Sequence, residues 1–129
     1  MNLKEVLKTR KSVRSFSGLR VDPKIISEAI AYGQKAPSAG GLKAYKFVAV
    51  SVKDKIEKIA KIARQRWIKD AGLIVIICID PERSVKKYNN RGRNLYCIQD
   101  ITFLEHTMIC ISSVTALVLV GSDHSMKKN

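Results

Sequence analysis

Apolar positions along this chain recur with two different periods, and the places where one gives way to the other outline the expected elements. Leu3, Val6 and Leu7 fall at helical spacing and predict a short amphipathic helix over residues 2–9 that hands the chain over at Thr9. Asp22 followed by Pro23 supplies an N-cap and a first-turn proline. The helix they start carries Ile26, Ala29, Ile30 and Gly33 on one face and ends near Lys35. Phe47, Val48, Ala49 and Val50 read as a strand, and Ile56, Ile59, Ala60, Ala63 and Trp67 then repeat as a helical stripe, with Trp67 on the core side. From Ala71 to Asp80 the chain is almost continuously apolar, which suits a central strand covered on both faces, and Pro81 ends it. Residues 82–94 are charged and polar and read as a loop of the kind that orders around a ligand or partner. Ile98, Ile101, Leu104, Met108 and Ile111 mark the buried side of a last helix.

Length and composition narrow this picture. With 129 residues there is room for one domain around one core, and 46% hydrophobic residues put the chain among globular proteins. The excess of 24 Lys and Arg over 11 Asp and Glu gives +13, which admits nucleic acid, an anionic membrane or a phosphorylated ligand. These cations are scattered rather than gathered in a tract. Zinc-finger spacing and the aromatic RNA-binding signature are missing too, so a small basic nucleic-acid binder is the minor reading. Cys78, Cys97 and Cys110 are odd in number, widely spaced and set among apolar neighbours, as reduced core thiols of a cytosolic protein are. His106 and Cys110 lie four apart on one helix, but two ligands fall short of a metal site. The opening residues Met1 to Glu5 contain no apolar leader, and the longest uncharged hydrophobic run is too short to cross a bilayer as a helix. The cytoplasm is the expected location, with no membrane partner.

Two stretches carry candidate chemistry. The first is Arg10, Lys11, Ser12, Val13, Arg14, Ser15 and Phe16, a cluster of cations and hydroxyls at the exit of the opening helix. Guanidinium forks grip phosphate oxygens bidentately, an ammonium adds a point charge and a hydroxyl one more donor, so the mixture suits a phosphomonoester or diphosphate. A solvated helix end in a basic chain is the alternative. The second stretch is residues 36–45, with Pro37, Ser38 and the pair Gly40 and Gly41, where the backbone can turn sharply and approach a flat ligand without side chains intervening. A plain connecting loop would also explain the glycines.

Taken together, the segment from Arg10 to Phe16 and the run Ala36, Pro37, Ser38, Ala39, Gly40, Gly41, Leu42, Lys43 up to the strand at Phe47 resemble the flavin-dependent nitroreductase family. That family has an Arg-Arg-Ser-x-Arg-like opening and, one helix later, Ala-Pro-Ser-Ala-x-Asn-x-Gln-Pro-Trp before a strand. The likeness continues through the apolar strand near residue 75 and from Tyr88 to Gly92 into Ile98, Gln99, Asp100 and Ile101, covering roughly residues 1–112. It implies an α+β fold, a three-layer α/β/α arrangement with a mixed central sheet flanked by helices. It also implies a homodimer binding FMN, which takes hydride from NADH or NADPH and passes it to an electron-poor acceptor such as a nitroaromatic or quinone. Carried over by position, Arg10, Lys11, Ser12 and, more weakly, Arg14 meet the phosphate and ribityl chain, while Pro37, Ser38, Ala39 and Gly41 border the ring. No side chain is assigned as an acid or base, since flavin chemistry draws protons from water.

Two departures bear on the ring. Gly41 stands where the family has an asparagine on the pyrimidine edge, and Lys43 replaces a glutamine. Only backbone contacts remain at Gly41. Lys43 either meets N1 and O2, where a cation stabilises the anionic reduced flavin, or points to solvent. Gly41 and Lys43 keep a catalytically impaired flavin-binding module as an alternative, and the Gly-Gly-Leu version of the loop also resembles the azoline-oxidase branch.

After Ile111 the likeness stops, and the family's C-terminal strand and extension are expected to be missing. Read two nucleotides further on, codons for Val114 to Asn129 permit Gly-x-Gly-Ser-Cys-Trp-Ile-Gly-Ser-Phe-Asn-Glu-Glu-Lys, in the family's register from Asp100, with a glutamate forced across Met126 and Lys127. The expected organisation is a partial FMN-binding domain over residues 1–112 and an atypical, out-of-frame tail over 113–129, in which His124 is incidental.

Overall fold

The computed structural model of the chain describes residues 2–115, with side-chain burial described for residues 2–111, so nearly all of the 113–129 tail lies outside the described residues. The order is α1 (Leu3–Thr9), α2 (Pro23–Gly33), a 3-10 turn at Ala39–Gly41, β1 (Tyr45–Val50), α3 (Lys53–Ile62), a 3-10 turn at Arg66–Asp70, β2 (Ile74–Ile79), α4 (Pro81–Arg91), a wide π-type turn at Gly92–Tyr96 and α5 (Cys97–Thr115). This is an α+β arrangement.

Strands β1 and β2 pair antiparallel from Tyr45 opposite Ile79 to Val50 opposite Ile74. Alternate side chains leave a strand on opposite faces, so this register sorts the core into two clusters. Tyr45, Phe47, Val75 and Ile77 join Ile26 and Ala29 of α2 and Leu104 and Met108 of α5 on one face. Val50, Ile74 and Ile76 join Ile56 and Ala60 of α3 and Ile68 on the other. Helices therefore cover both faces, giving the three-layer order. Among the described residues the sheet has these two strands alone, and their pairing is antiparallel throughout. The strand composition of a larger sheet lies beyond them.

The helix starts follow local chemistry. Asn2 and Glu5 form a reciprocal capping box on α1, with the Glu5 amide donating to Asn2 Oδ1 at 3.1 Å and the Asn2 amide to Glu5 Oε2 at 2.9 Å. Asp22 accepts from the Lys24 amide at 2.9 Å ahead of Pro23. Leu104 and Met108 are fully buried, each worth about 1.5–3 kcal/mol of removed apolar surface.

Several expectations need correcting. Residues 82–94 are not a loop: Asp80 accepts from the Arg83 amide at 3.2 Å, Pro81 takes the first turn, and α4 runs on, broken at Asn89 with φ 50°. Its charges hide the helix because the side chain it buries is Ser84 rather than an apolar residue. On α1 only Val6 is buried. Leu3 and Leu7 are 67% and 52% exposed, because the described residues offer that face no wider partner surface. β1 starts at Tyr45, two residues earlier than expected, and Tyr45 is core. The helical stripe ends at Ile62, leaving Ala63 exposed, and Ile98 also faces outward. β2 is well covered only at Ile74 and Val75, so Cys78 is exposed rather than a core thiol, while Cys97 is buried. Trp67 lies half-buried, its ring centroid 5.7 Å from that of Phe16.

Candidate functional site

Between α1 and α2 the chain has no regular structure, and Arg10, Lys11, Ser12 and Arg14 are all exposed. Among the described residues their side chains have no intramolecular hydrogen bond or ion pair; the ion pair present joins Lys46 Nζ to Asp80 Oδ2 at 3.6 Å. The stretch is fixed at its far end. Phe16 packs on Trp67, and the carbonyl of Leu19 lies so close over Gly72 that a Cβ there would overlap it. The cations thus precede the anchored end of the crossing and keep their donors unspent.

The second stretch is built in the opposite way. The Ala36–Lys43 segment turns through three residues of left-handed backbone, Gly40 at φ 56°, Gly41 at φ 68° and Lys43 at φ 50°. Glycine adopts this region without strain, whereas Lys43 does so against the steric preference of an L-residue. Ser38 and Ala39 are half-buried; Pro37, Gly41 and Lys43 are exposed. Nothing lies within 4 Å of where a Cβ on Gly41 would stand, so that backbone is open to approach. A side chain on Gly40 would instead collide with the Tyr88 hydroxyl, since α4 packs there and Lys87 Nζ donates to the Gly40 carbonyl at 3.3 Å. Tyr88 meets Tyr96 edge-on with centroids 4.9 Å apart.

Asp100 ties this turn to α5. It is 3% exposed, accepting from Ser38 Oγ at 2.8 Å through Oδ2 and from the Ala39 amide at 2.8 Å through Oδ1. Ser38 Oγ in turn accepts from the Lys43 amide at 2.8 Å. Burial, and then the negative charge of Asp100, push the Tyr45 phenol above its usual range; burial first does the same to the Cys97 thiol. No sequence pattern marks Asp100 out: its partners lie about sixty positions away, and an acid within an otherwise apolar helical stripe is the one local signal.

Pro37, Ser38, Ala39, Gly41 and Lys43 therefore come together in one braced turn, and Arg10, Lys11, Ser12 and Arg14 along one open crossing. Among the described residues no hydrogen bond or ion pair joins the two groups. What they share is α5, against which α1 packs and to which the turn is bonded. His106 Nε2 and Cys110 Sγ lie 3.9 Å apart on the exposed side of that helix.

The layered α+β fold places the chain in a structural class that the comparisons make specific. The sequence profile described as Nitroreductase family matches residues 7–89, and the chain belongs to that family. A Methanothermobacter thermautotrophicus protein provisionally named NADH dehydrogenase/NAD(P)H nitroreductase is 28% identical over 81 residues, which is 62% of this chain and 42% of that one. Among solved structures, B. megaterium NfrA2 superposes with a TM-score of 0.78 at 20% identity over 89% of this chain and 52% of its own. The NADPH:FMN oxidoreductase of Vibrio harveyi, complexed with NAD+, gives 0.76 at 19% identity over 89% and 53%. The chain thus spans about half the length of these three proteins.

Proposed function

We propose that this chain is an FMN-dependent oxidoreductase of the nitroreductase type, acting in the cytoplasm as a homodimer on NADH or NADPH and a small electron-poor acceptor. The observation that carries the reading is the set of donors at Arg10, Lys11, Ser12 and Arg14, unpaired among the described residues, which follows a helix packed on α5, the helix that also braces a turn whose backbone at Gly41 is open. Family membership over residues 7–89, which includes both segments, supports it.

The residues present fit FMN by their chemistry. Arg10 and Arg14 bring planar forks suited to phosphate oxygens, Lys11 a mobile ammonium and Ser12 a hydroxyl donor. Pro37, Ser38, Ala39 and Gly41 offer a rigid, small-residue border for a flat ring. Lys43 brings a cation to that border. When bound, FMN supplies the two-electron chemistry between a nicotinamide and an acceptor such as a nitroaromatic or quinone. The chain's part is to hold the phosphate, present a ring face and adjust the charge beside it, while protons come from water.

Titration of the purified chain with FMN, followed by anaerobic addition of NADH or NADPH, tests this. A yellow complex that bleaches with the nicotinamide is the expected result. A yellow complex that does not bleach favours an impaired flavin-binding module, for which the departures at Gly41 and Lys43 are the motive. Colourless protein with salt-sensitive DNA binding would replace the flavin reading by a nucleic-acid one.

A further inference from the structure

Asp100 is the most deeply placed acid among the described residues, and its surroundings are unusual for one. Both carboxylate oxygens are used, and both donors are neutral groups of a single distant turn. The backbone amide of Ala39 can only donate, so Oδ1 must accept. Ser38 Oγ already accepts from Lys43, so its own proton is free to go to Oδ2. One carboxylate on α5 thereby reaches both ends of the segment from 38 to 43, directly at Ala39 and through Ser38 at Lys43. Lys87 of α4 holds the middle of the same segment at the Gly40 carbonyl.

This matters because the segment is expensive to hold. Lys43 sits at φ 50°, and the two glycines before it give a backbone with many alternatives when unrestrained. A buried carboxylate left without donors is costly, so the Asp100 bonds couple the turn's shape to its own solvation: if the turn opens, the charge loses both partners.

We propose that Asp100 is the positioning residue of the ring-bordering turn, fixing residues 38–43, with Gly40, Gly41 and Lys43 left-handed, through Ser38 and the Ala39 amide before any ligand arrives. Its consequence for binding rests on the flavin reading above; the conformational role itself does not. Asp100 touches no ligand in this role. It decides where the backbone of Ala39, Gly40 and Gly41 and the root of Lys43 stand.

Amide hydrogen exchange on the full, flavin-free chain tests the conformational role, and FMN titration of the same samples tests its consequence. Asp100→Ala should lower protection at the Ala39 and Lys43 amides by about tenfold or more, the scale of hydrogen bonds to a charged group, while amides of β1 and α2 stay as they were. Ser38→Ala should release Lys43 alone, because Ala39 still reaches Oδ1. Asp100→Asn should restore Ala39, since an amide oxygen can accept there, and it serves with Ser38→Ala if the alanine variant does not fold. FMN affinity should fall by about tenfold in Asp100→Ala. Unchanged protection at both amides in Asp100→Ala overturns the proposal, as does a uniform loss across β1 and α2 in all the variants. Equal FMN affinity in parent and variants overturns the link from turn to ring. A parent chain that binds no FMN counts against the flavin reading, while the exchange pattern still decides the role of Asp100.

Discussion

The crossing from Arg10 to Phe16 and the turn from Ser38 to Lys43 are both irregular segments placed near a helix end, yet opposite means hold them. The crossing leaves its cationic side chains without intramolecular partners among the described residues and is anchored only afterwards, where Phe16 meets Trp67 and Leu19 lies over Gly72. The turn has an open backbone at Gly41 but is bonded to α5 through Asp100 and to α4 through Lys87. The difference separates two kinds of recognition. Unspent donors on a segment anchored at its far end suit an anion that itself supplies the ordering contacts, whereas a braced, bare backbone suits a rigid plane that cannot adapt.

That contrast can be broken from either side. The largest effect is expected from replacing Arg10 and Ser12 together by alanine: FMN affinity should fall on the order of 100-fold, from one charge-assisted and one ordinary hydrogen-bond set. Thermal stability should barely move, because neither side chain has a partner among the described residues. Fluorescence titration and a melting curve read both quantities, and unaltered affinity would remove the phosphate role from this stretch. Next comes Gly72→Ala, which puts a Cβ into the Leu19 carbonyl. Two backbones must separate, so urea denaturation should show a loss of about 1–3 kcal/mol. An unchanged midpoint would mean that the crossing is not anchored there.

The smallest effect sharpens the other half. Lys43→Gly in flavin-free protein relieves a left-handed L-residue of about 1–2 kcal/mol while raising the entropy of the unfolded chain by about 0.4–1 kcal/mol. A net gain of about 0.5 kcal/mol is expected from these opposing terms. A clear loss in the same urea assay would show that the lysine side chain itself supports the turn.

The identical dipeptides at Asp22-Pro23 and Asp80-Pro81 show how far local signals reach. Both cap and start a helix in the structure. Before Ile26 and Ala29 the pair reads as a beginning. After an apolar strand and before a charged run the same chemistry reads as an end, because α4 buries Ser84 where a stripe would be expected. Tyr45 shows the converse limit: beside two glycines and two lysines it belongs to a loop by composition, yet its pairing with Ile79 and packing on Phe47 make it core.

By itself, the sequence determined the helix and strand periods, the cap at Asp22, the cation cluster after α1 and the glycines of the turn. Each of these depends on neighbours within a few positions, where covalent spacing already sets geometry. Tertiary structure alone decided that Asp100 would brace Ser38 and Ala39, that Gly72 would admit Leu19, and that β1 and β2 would place α2 and α5 on one face and α3 on the other. Those pairings join residues tens of positions apart. Their partners are selected by which surfaces remain to be covered once the local elements exist, and no local pattern encodes that remainder.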